Sequence, residues 1–342
     1  MDYAQYILEK SAELLAIDSP TGYTDEAAKW VEKEFQDLGF KTTRTVKGGV
    51  MIDLGGKDEQ NAVLLEAHAD TLGGMVAEIK SSGRLRILPL GGMNPNNAEA
   101  ENVRVISKFD GTFEGTLQLV DASIHVNSEY NETTRKWNKM EVVLDEIVSS
   151  KDDVTKLGIQ VGDIVCFEPR TRITSKGYIK SRFLDDKLSV GILLGYAKYL
   201  KDEKITTERK IYVHVTVYEE VGHGGCASVP AGVTEAISVD MGCVGEGLTC
   251  DERKVSICAK DSGGPYNYQV VKNLIEAAKK SGAEYAIDLY PHYGSDVEAT
   301  LHAGYDIRHG LIGAGVYASH GYERSHKDGA NNTLKLLQGY LG

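Results

Sequence analysis

Residues 211–218 read IYVHVTVY, with Ile211, Val213, Val215 and Val217 interleaved with Tyr212, His214, Thr216 and Tyr218. A period of two predicts a β-strand, and this one runs into Glu219 and Glu220 and then into the glycine-rich stretch 222–225. Side chains alternate across a strand, so two adjacent carboxylates at its end can face different ways and do different work. Helical stripes appear elsewhere: Ile7, Leu8, Leu14 and Leu15; Ala27, Trp30, Val31, Phe35 and Leu38, stopped by Gly39; and Leu188, Ile192, Leu193, Tyr196 and Leu200. The same spacing predicts helices over 267–281, 296–303 and 327–341. Short apolar runs predict strands over 41–46, 50–54, 62–67, 234–240, 284–289 and 310–316. Strands alternating with helices favour an α/β fold, a mainly parallel sheet covered on both faces.

Between residues 72 and 181 the pattern changes. Short β-prone pieces at 75–80, 84–88, 103–109, 115–120, 141–144 and 163–168 are separated by Gly, Asn and Asp, and only 150–157 hints at a helix. Such spacing predicts a small all-β unit, a barrel or PDZ-like fold. It is expected as an insertion (72–181) in a catalytic domain formed by 1–71 and 182–342.

Composition narrows the function classes. The chain has 342 residues, 42% hydrophobic and 26% charged, as in ordinary globular proteins. Fifty acidic against 38 basic residues give a net charge of −12, which disfavours nucleic acid and anionic membranes as partners but not divalent cations. Five cysteines (Cys166, Cys226, Cys243, Cys250 and Cys258) form no close pair and are expected to be reduced and mostly buried. No stretch reaches the ~18 apolar residues of a membrane span, so the expected location is the cytoplasm.

His68, Glu219, Glu220 and Asp240 all fall at predicted strand ends, with Asp185 and His320 in adjoining turns. Each has a plain explanation alone: a solvated strand-end pair, a structural imidazole, or, for Asp185 and Asp186, acidic residues favoured at a helix start. Together they lie where sites form in such sheets, at the carboxyl ends of strands. Two imidazoles and several carboxylates without cysteine suit zinc, cobalt or manganese. The donors exceed what one ion needs, which argues for two divalent ions ~3.5–4 Å apart sharing a carboxylate. Asp70 stands where it can accept the other N–H of a ligating His68.

The ordered motifs HAD (68–70), LDDK (184–187), EEVG (219–222), VDMG (239–242) and SHGYERSH (319–326) carry a resemblance. Over nearly its whole length, including KDSGGPYNY and GSDVEATLHAG, the chain resembles the co-catalytic dinuclear aminopeptidases of the tetrahedral (TET) and glutamyl-aminopeptidase type. That family also contains proteins named cellulase M or endoglucanase-like. The resemblance implies a zinc-exopeptidase-like catalytic domain with Asp185 bridging two metals. His68 and Asp240 would complete one metal site and Glu220 and His320 the other. Glu219 would be the general base and acid, and Asp70 the residue that orients His68. His320 is preferred over His326 as ligand because it follows the predicted strand and Ser319 directly. The implied activity is removal of N-terminal residues from peptides, and the implied assembly is a homo-oligomer, commonly a dimer-based tetrahedral dodecamer built through the inserted domain. Many relatives carry arginine and alanine where this chain has His223, Gly224, Gly225 and Cys226. The competing readings are a metal-dependent deacylase on the same scaffold and a carboxylate-pair endoglucanase. The latter needs no metal and leaves the two histidines redundant.

Overall fold

The computed structural model describes residues 1–226 and 228–342. They form two units, one of Met1–Asp70 with Arg170–Gly342, the other of Thr71–Pro169. In chain order the strands are β1 Lys41–Arg44, β2 Val50–Gly55, β3 Asp58–His68, β4 Gly73–Ile79, β5 Leu85–Leu90, β6 Asn102–Ser107, β7 Gly111–Leu119, β8 Met140–Leu144 and β9 Ile164–Phe167. They continue with β10 Arg172–Ile173, β11 Tyr178–Ser181, β12 Arg209–Thr216, β13 Val233–Val239, β14 Gly242–Val244, β15 Val255–Lys260, β16 Tyr285–Leu289, β17 Arg308–Tyr317 and β18 Glu323–His326. The helices are α1 Tyr3–Leu15, α2 Asp25–Asp37, α3 Pro95–Ala98, α4 Lys151–Lys156, α5 Leu184–Asp202, α6 Tyr268–Ser281, α7 Asp296–His302 and α8 Lys327–Leu341.

The larger unit is built on a sheet whose main path runs β1-β2-β12-β3-β13-β17-β18-β11-β10. Its centre, β12-β3-β13-β17, is parallel. The sheet as a whole is mixed rather than mainly parallel, because β2 joins β12, β15 joins β17 and β11 joins β18 in antiparallel fashion. Short connections produce part of this: β1 and β2 form a hairpin across Gly48-Gly49, and a two-residue hairpin or tight turn can join only antiparallel neighbours. Register aligns the strand ends. Thr216 lies opposite His68, and Ser238 opposite Glu66, so His68, the Glu219 turn and Asp240 emerge along one carboxyl edge.

Helix α5 is buried from Leu184 through Ala197, as expected of a helix apolar on more than one face. It packs closely on α1: a Cβ on Gly191 would stand 2.1 Å from Ser11 Oγ, and one on Gly195 2.5 Å from Ile7. Lys187, in the LDDK motif, points away from the strand edge. Its ammonium donates to the carbonyls of Leu14 (3.1 Å) and Ile17 (2.6 Å) at and just beyond the end of α1.

The smaller unit is a closed barrel in the order β4-β5-β8-β7-β6-β9, with Val76, Leu85, Ile87, Val105, Leu117, Val142 and Val165 buried. Closure removes the free strand edges that invite aggregation. Residues 170–181, read from sequence as part of the insertion, belong to the larger unit, because β11 pairs with β18 from Tyr178↔His326 to Ser181↔Glu323. Among the described residues no helix is long and apolar enough to cross a membrane.

Candidate metal centre and active site

His68 is the last residue of β3 and is almost fully buried. Its Nδ1 donates to the backbone carbonyl of Asp70 at 2.9 Å. In the neutral ring that leaves Nε2 with a bare lone pair, aimed at Asp185 Oδ1 3.2 Å away. Two electron-rich atoms facing each other call for a proton or a cation between them. Asp240, one residue beyond β13, completes this group: one ligand atom from each of His68, Asp185 and Asp240 lies within 4.8 Å of the others.

A second group shares Asp185. Its Oδ2 lies 3.6 Å from His320 Nε2, and that nitrogen is also 3.6 Å from Glu220 Oε2. Glu219 Oε2 approaches His68 Nε2 at 3.6 Å. The structure therefore brings all six residues to one place, with Asp185 between the two histidines. Asp185 and Asp186 were expected at the first turn of α5, but both have non-helical backbone angles, and Phe183 before them is left-handed. This break turns Asp185 out of the helix and toward both imidazoles.

Asp70 does a different job from the one expected. Its carboxylate is 3.6 Å from His68 Nδ1 and instead accepts hydrogen bonds from the Thr21 hydroxyl (2.7 Å), the Glu219 N–H (3.1 Å) and the Glu220 N–H (3.4 Å). It thus anchors the short helical turn Glu219–Val221 that follows Tyr218, while its carbonyl orients the imidazole. His326 is used elsewhere: Nδ1 accepts the Asp328 N–H at the start of α8, and Nε2 donates to the Lys176 carbonyl at 2.7 Å.

The electrostatics of the group favour bound positive charge. Burial, reinforced by Asp185, pushes the Glu220 carboxyl well above the usual range and Asp240 up to about 7. Burial, with Asp240 beside it, raises Asp186, and burial with Asp296 and Asp240 nearby raises Glu219. Burial would lower the His68 pKa, but Asp185, Glu219 and Asp70 outweigh it and raise it well above 6.5. Burial likewise opposes ionisation of Asp185, yet the two histidines hold its carboxyl below the ordinary value. Glu220 Oε1 and Asp186 Oδ1 are buried without a hydrogen-bond partner among the described residues, and unsatisfied buried oxygens are costly. Cations here would satisfy them and pull these pKa values down together. The donor set fits divalent metal ions.

Two further participants lie within SHGYERSH, where the sequence gives them no role. Glu323, on β18, is buried and accepts the N–H groups of Asp185 (3.1 Å) and His320 (3.0 Å). Ser319 donates to Asp185 Oδ2 at 3.0 Å. A cavity of about 800 Å³ opens over the group, lined among others by Met241, Cys243, His292, Tyr293 and Glu298. No disulfide joins the cysteines among the described residues, and Cys226 is exposed rather than buried.

The fold is an α/β one with a buried histidine–carboxylate cluster at the carboxyl edge of its sheet, and comparison with known proteins gives its class. Residues 48–336 match the M42 glutamyl aminopeptidase family. The chain is 42% identical over 334 residues to the Bacillus subtilis protein named "Putative aminopeptidase YhfE", covering 98% of this chain and 96% of that one. Two solved structures share its fold. An aminopeptidase from the archaeon Desulfurococcus kamchatkensis has a TM-score of 0.88 at 22% identity, covering 99% and 95% of the two chains. The Pyrococcus horikoshii TET1 peptidase, described as assembling into a tetrahedron or a large octahedral shell, has a TM-score of 0.85 at 20% identity, covering 97% and 98%. The chain belongs to the M42 glutamyl aminopeptidase family, and it is an aminopeptidase, a hydrolase of peptide bonds.

Proposed function

We infer that the protein removes N-terminal residues from peptides with two divalent cations, zinc, cobalt or manganese. One would be held by His68, Asp185 and Asp240, the other by Asp185, Glu220 and His320. The observation that carries this is Asp185, whose two oxygens face His68 and His320 separately, at 3.2 and 3.6 Å. When bound, the cations polarise the scissile carbonyl and lower the pKa of the attacking water. Glu219 is the general base: it takes the proton of that water and returns it to the leaving amine. Burial beside Asp296 and Asp240 raises its pKa, which suits a carboxyl that holds a proton during the reaction. Asp70 keeps the Glu219 and Glu220 backbones in place, and Glu323 does the same for Asp185 and His320. A free α-ammonium is attracted to a cavity whose wall includes Glu219, Glu220, Asp240 and Glu298, which favours cleavage at the N-terminus.

A matched pair of peptides, one with a free amino terminus and one N-acetylated, tests the reading. The free peptide should lose its first residue and the acetylated one should not react. Removal of the acetyl group, with the peptide bond intact, would replace this reading with a deacylase.

The barrel is assigned to subunit contact in a homo-oligomer, the dodecamer being the expected form. Support comes from Phe109, Ile124, Val126 and Ile147, which expose large apolar side chains on it. Replacing residues 71–169 with a short linker should reduce the particle mass in light scattering by more than the deleted segments account for. Particles with an unchanged number of subunits would refute the assignment.

A further inference from the structure

The catalytic turn is gripped from a side that the proposed chemistry does not use. Asp296 opens α7, and its Oδ1 accepts the Gly225 N–H at 2.6 Å while Oδ2 accepts the hydroxyl of Thr216, the last residue of β12. One helical turn later Thr300 holds the other face of the same residue, its Oγ1 lying 2.9 Å from the Gly225 carbonyl. The hydroxyl of Thr300 is also 3.1 Å from both oxygens of Glu66. Its one proton, given to the Gly225 carbonyl, closes the grip on both faces of that residue.

Two glycines make the grip sterically feasible. A Cβ on Gly224 would lie 2.3 Å from Asp296 Oδ1 and 3.0 Å from Glu219 Cα. A Cβ on Gly225 would lie 2.2 Å from the Asp296 carbonyl oxygen and 2.5 Å from Thr300 Oγ1. Only residues without side chains let α7 come this close. The Gly224 position is wedged between Asp296 and the Glu219 backbone. Between Thr216 and Gly225 the Asp70 carboxylate holds the Glu219 and Glu220 N–H groups, so the segment is held at Thr216, at the Glu219–Glu220 turn and at Gly225.

We propose that Asp296 and Thr300 are positioning residues that, through Gly225 and Thr216, set the placement of Glu219 for proton transfer. This rests on the proposed role of Glu219. Misplacement of a reacting group by about 1 Å can cost ~10²-fold in rate, which sets the scale of the expected effect.

The test compares kcat, KM and bound metal across variants of the full chain. Asp296→Ala should lower kcat on the order of 10–10²-fold with KM and metal content little changed. Asp296→Asn should recover most of that loss: its oxygen can accept the Gly225 N–H while its amide donates to Thr216, whose hydroxyl can turn to the Ala67 carbonyl 3.3 Å away. If Asn is as damaging as Ala, the charge of Asp296 matters rather than its grip, and the proposal fails. Thr300→Val should reproduce the kcat loss and Thr300→Ser relieve it. This pair decides the matter should Asp296→Ala not fold, and equal rates in Val and Ser would overturn the proposal. Asp296→Ala placed on Glu219→Gln should cost nothing further, because a positioning residue has no effect once its target is gone. Full additivity would contradict it. Glu219→Gln alone with undiminished activity would instead sink the general-base reading.

Discussion

Glu219→Gln should lower turnover on the order of 10²–10⁴-fold, the usual contribution of a positioned general base, while bound metal stays near the wild-type level. Gln keeps the size and hydrogen-bonding reach of the carboxylate but cannot take a proton from water. The neighbouring Glu220→Gln should behave differently. Its Oε2 lies 3.6 Å from His320 Nε2, and its Oε1 is buried with no hydrogen-bond partner among the described residues, as befits an oxygen that meets a cation. Substitution there should release one metal equivalent together with the activity. Metal analysis and peptidase rates at equal protein concentration separate the two. Loss of metal in Glu219→Gln with retention in Glu220→Gln would invert the assignment, and full activity in both would remove the glutamates from the mechanism.

Much of the strand edge is legible in the sequence because short-range pattern dictates it. The period of two in 211–218 and the apolar run 62–67 each deliver a side chain at a strand end, and parallel pairing then brings His68 and Thr216 level. The structure starts β3 earlier, at Asp58, and ends β12 at Thr216, since pairing partners rather than hydrophobicity set strand limits. Strand β18 is not legible at all. Glu323-Arg324-Ser325-His326 has no apolar residue and becomes a strand only through β11 and β17 on either side. With it goes Glu323, whose partners are backbone N–H groups of residues that folding alone makes neighbours. The same holds for Asp70. Its proximity to His68 in sequence suggests an imidazole partner, but the three donors to its carboxylate come from Thr21 and the Glu219–Glu220 turn. The sequence also reads Asp185 and Asp186 as a helix start, since the non-helical backbone that turns them leaves no compositional trace.

Stripping divalent metal from the protein should abolish peptidase activity, and returning zinc, cobalt or manganese should restore it. Lewis-acid polarisation supplies several kcal/mol of transition-state stabilisation; at about 1.4 kcal/mol per tenfold, the loss should be on the order of 10³-fold or more. Local charge points the same way. Asp186, Asp240 and Glu323 are buried and Glu219 and Glu220 partly so, and all five have raised pKa values. Bound cations should therefore displace protons, so metal affinity should fall as pH falls through these raised values. Because the ions bind the folded chain through residues far apart in sequence, they should also raise its melting temperature in proportion to the logarithm of free metal above Kd. A titration of metal-free enzyme, following bound metal and turnover in the same samples, tests the shared-carboxylate site most directly. It should reach two equivalents per chain with full activity only at the second, and Asp185→Ala should bind neither tightly. Full turnover by enzyme that holds no metal, or two equivalents still bound tightly after Asp185→Ala, would contradict it.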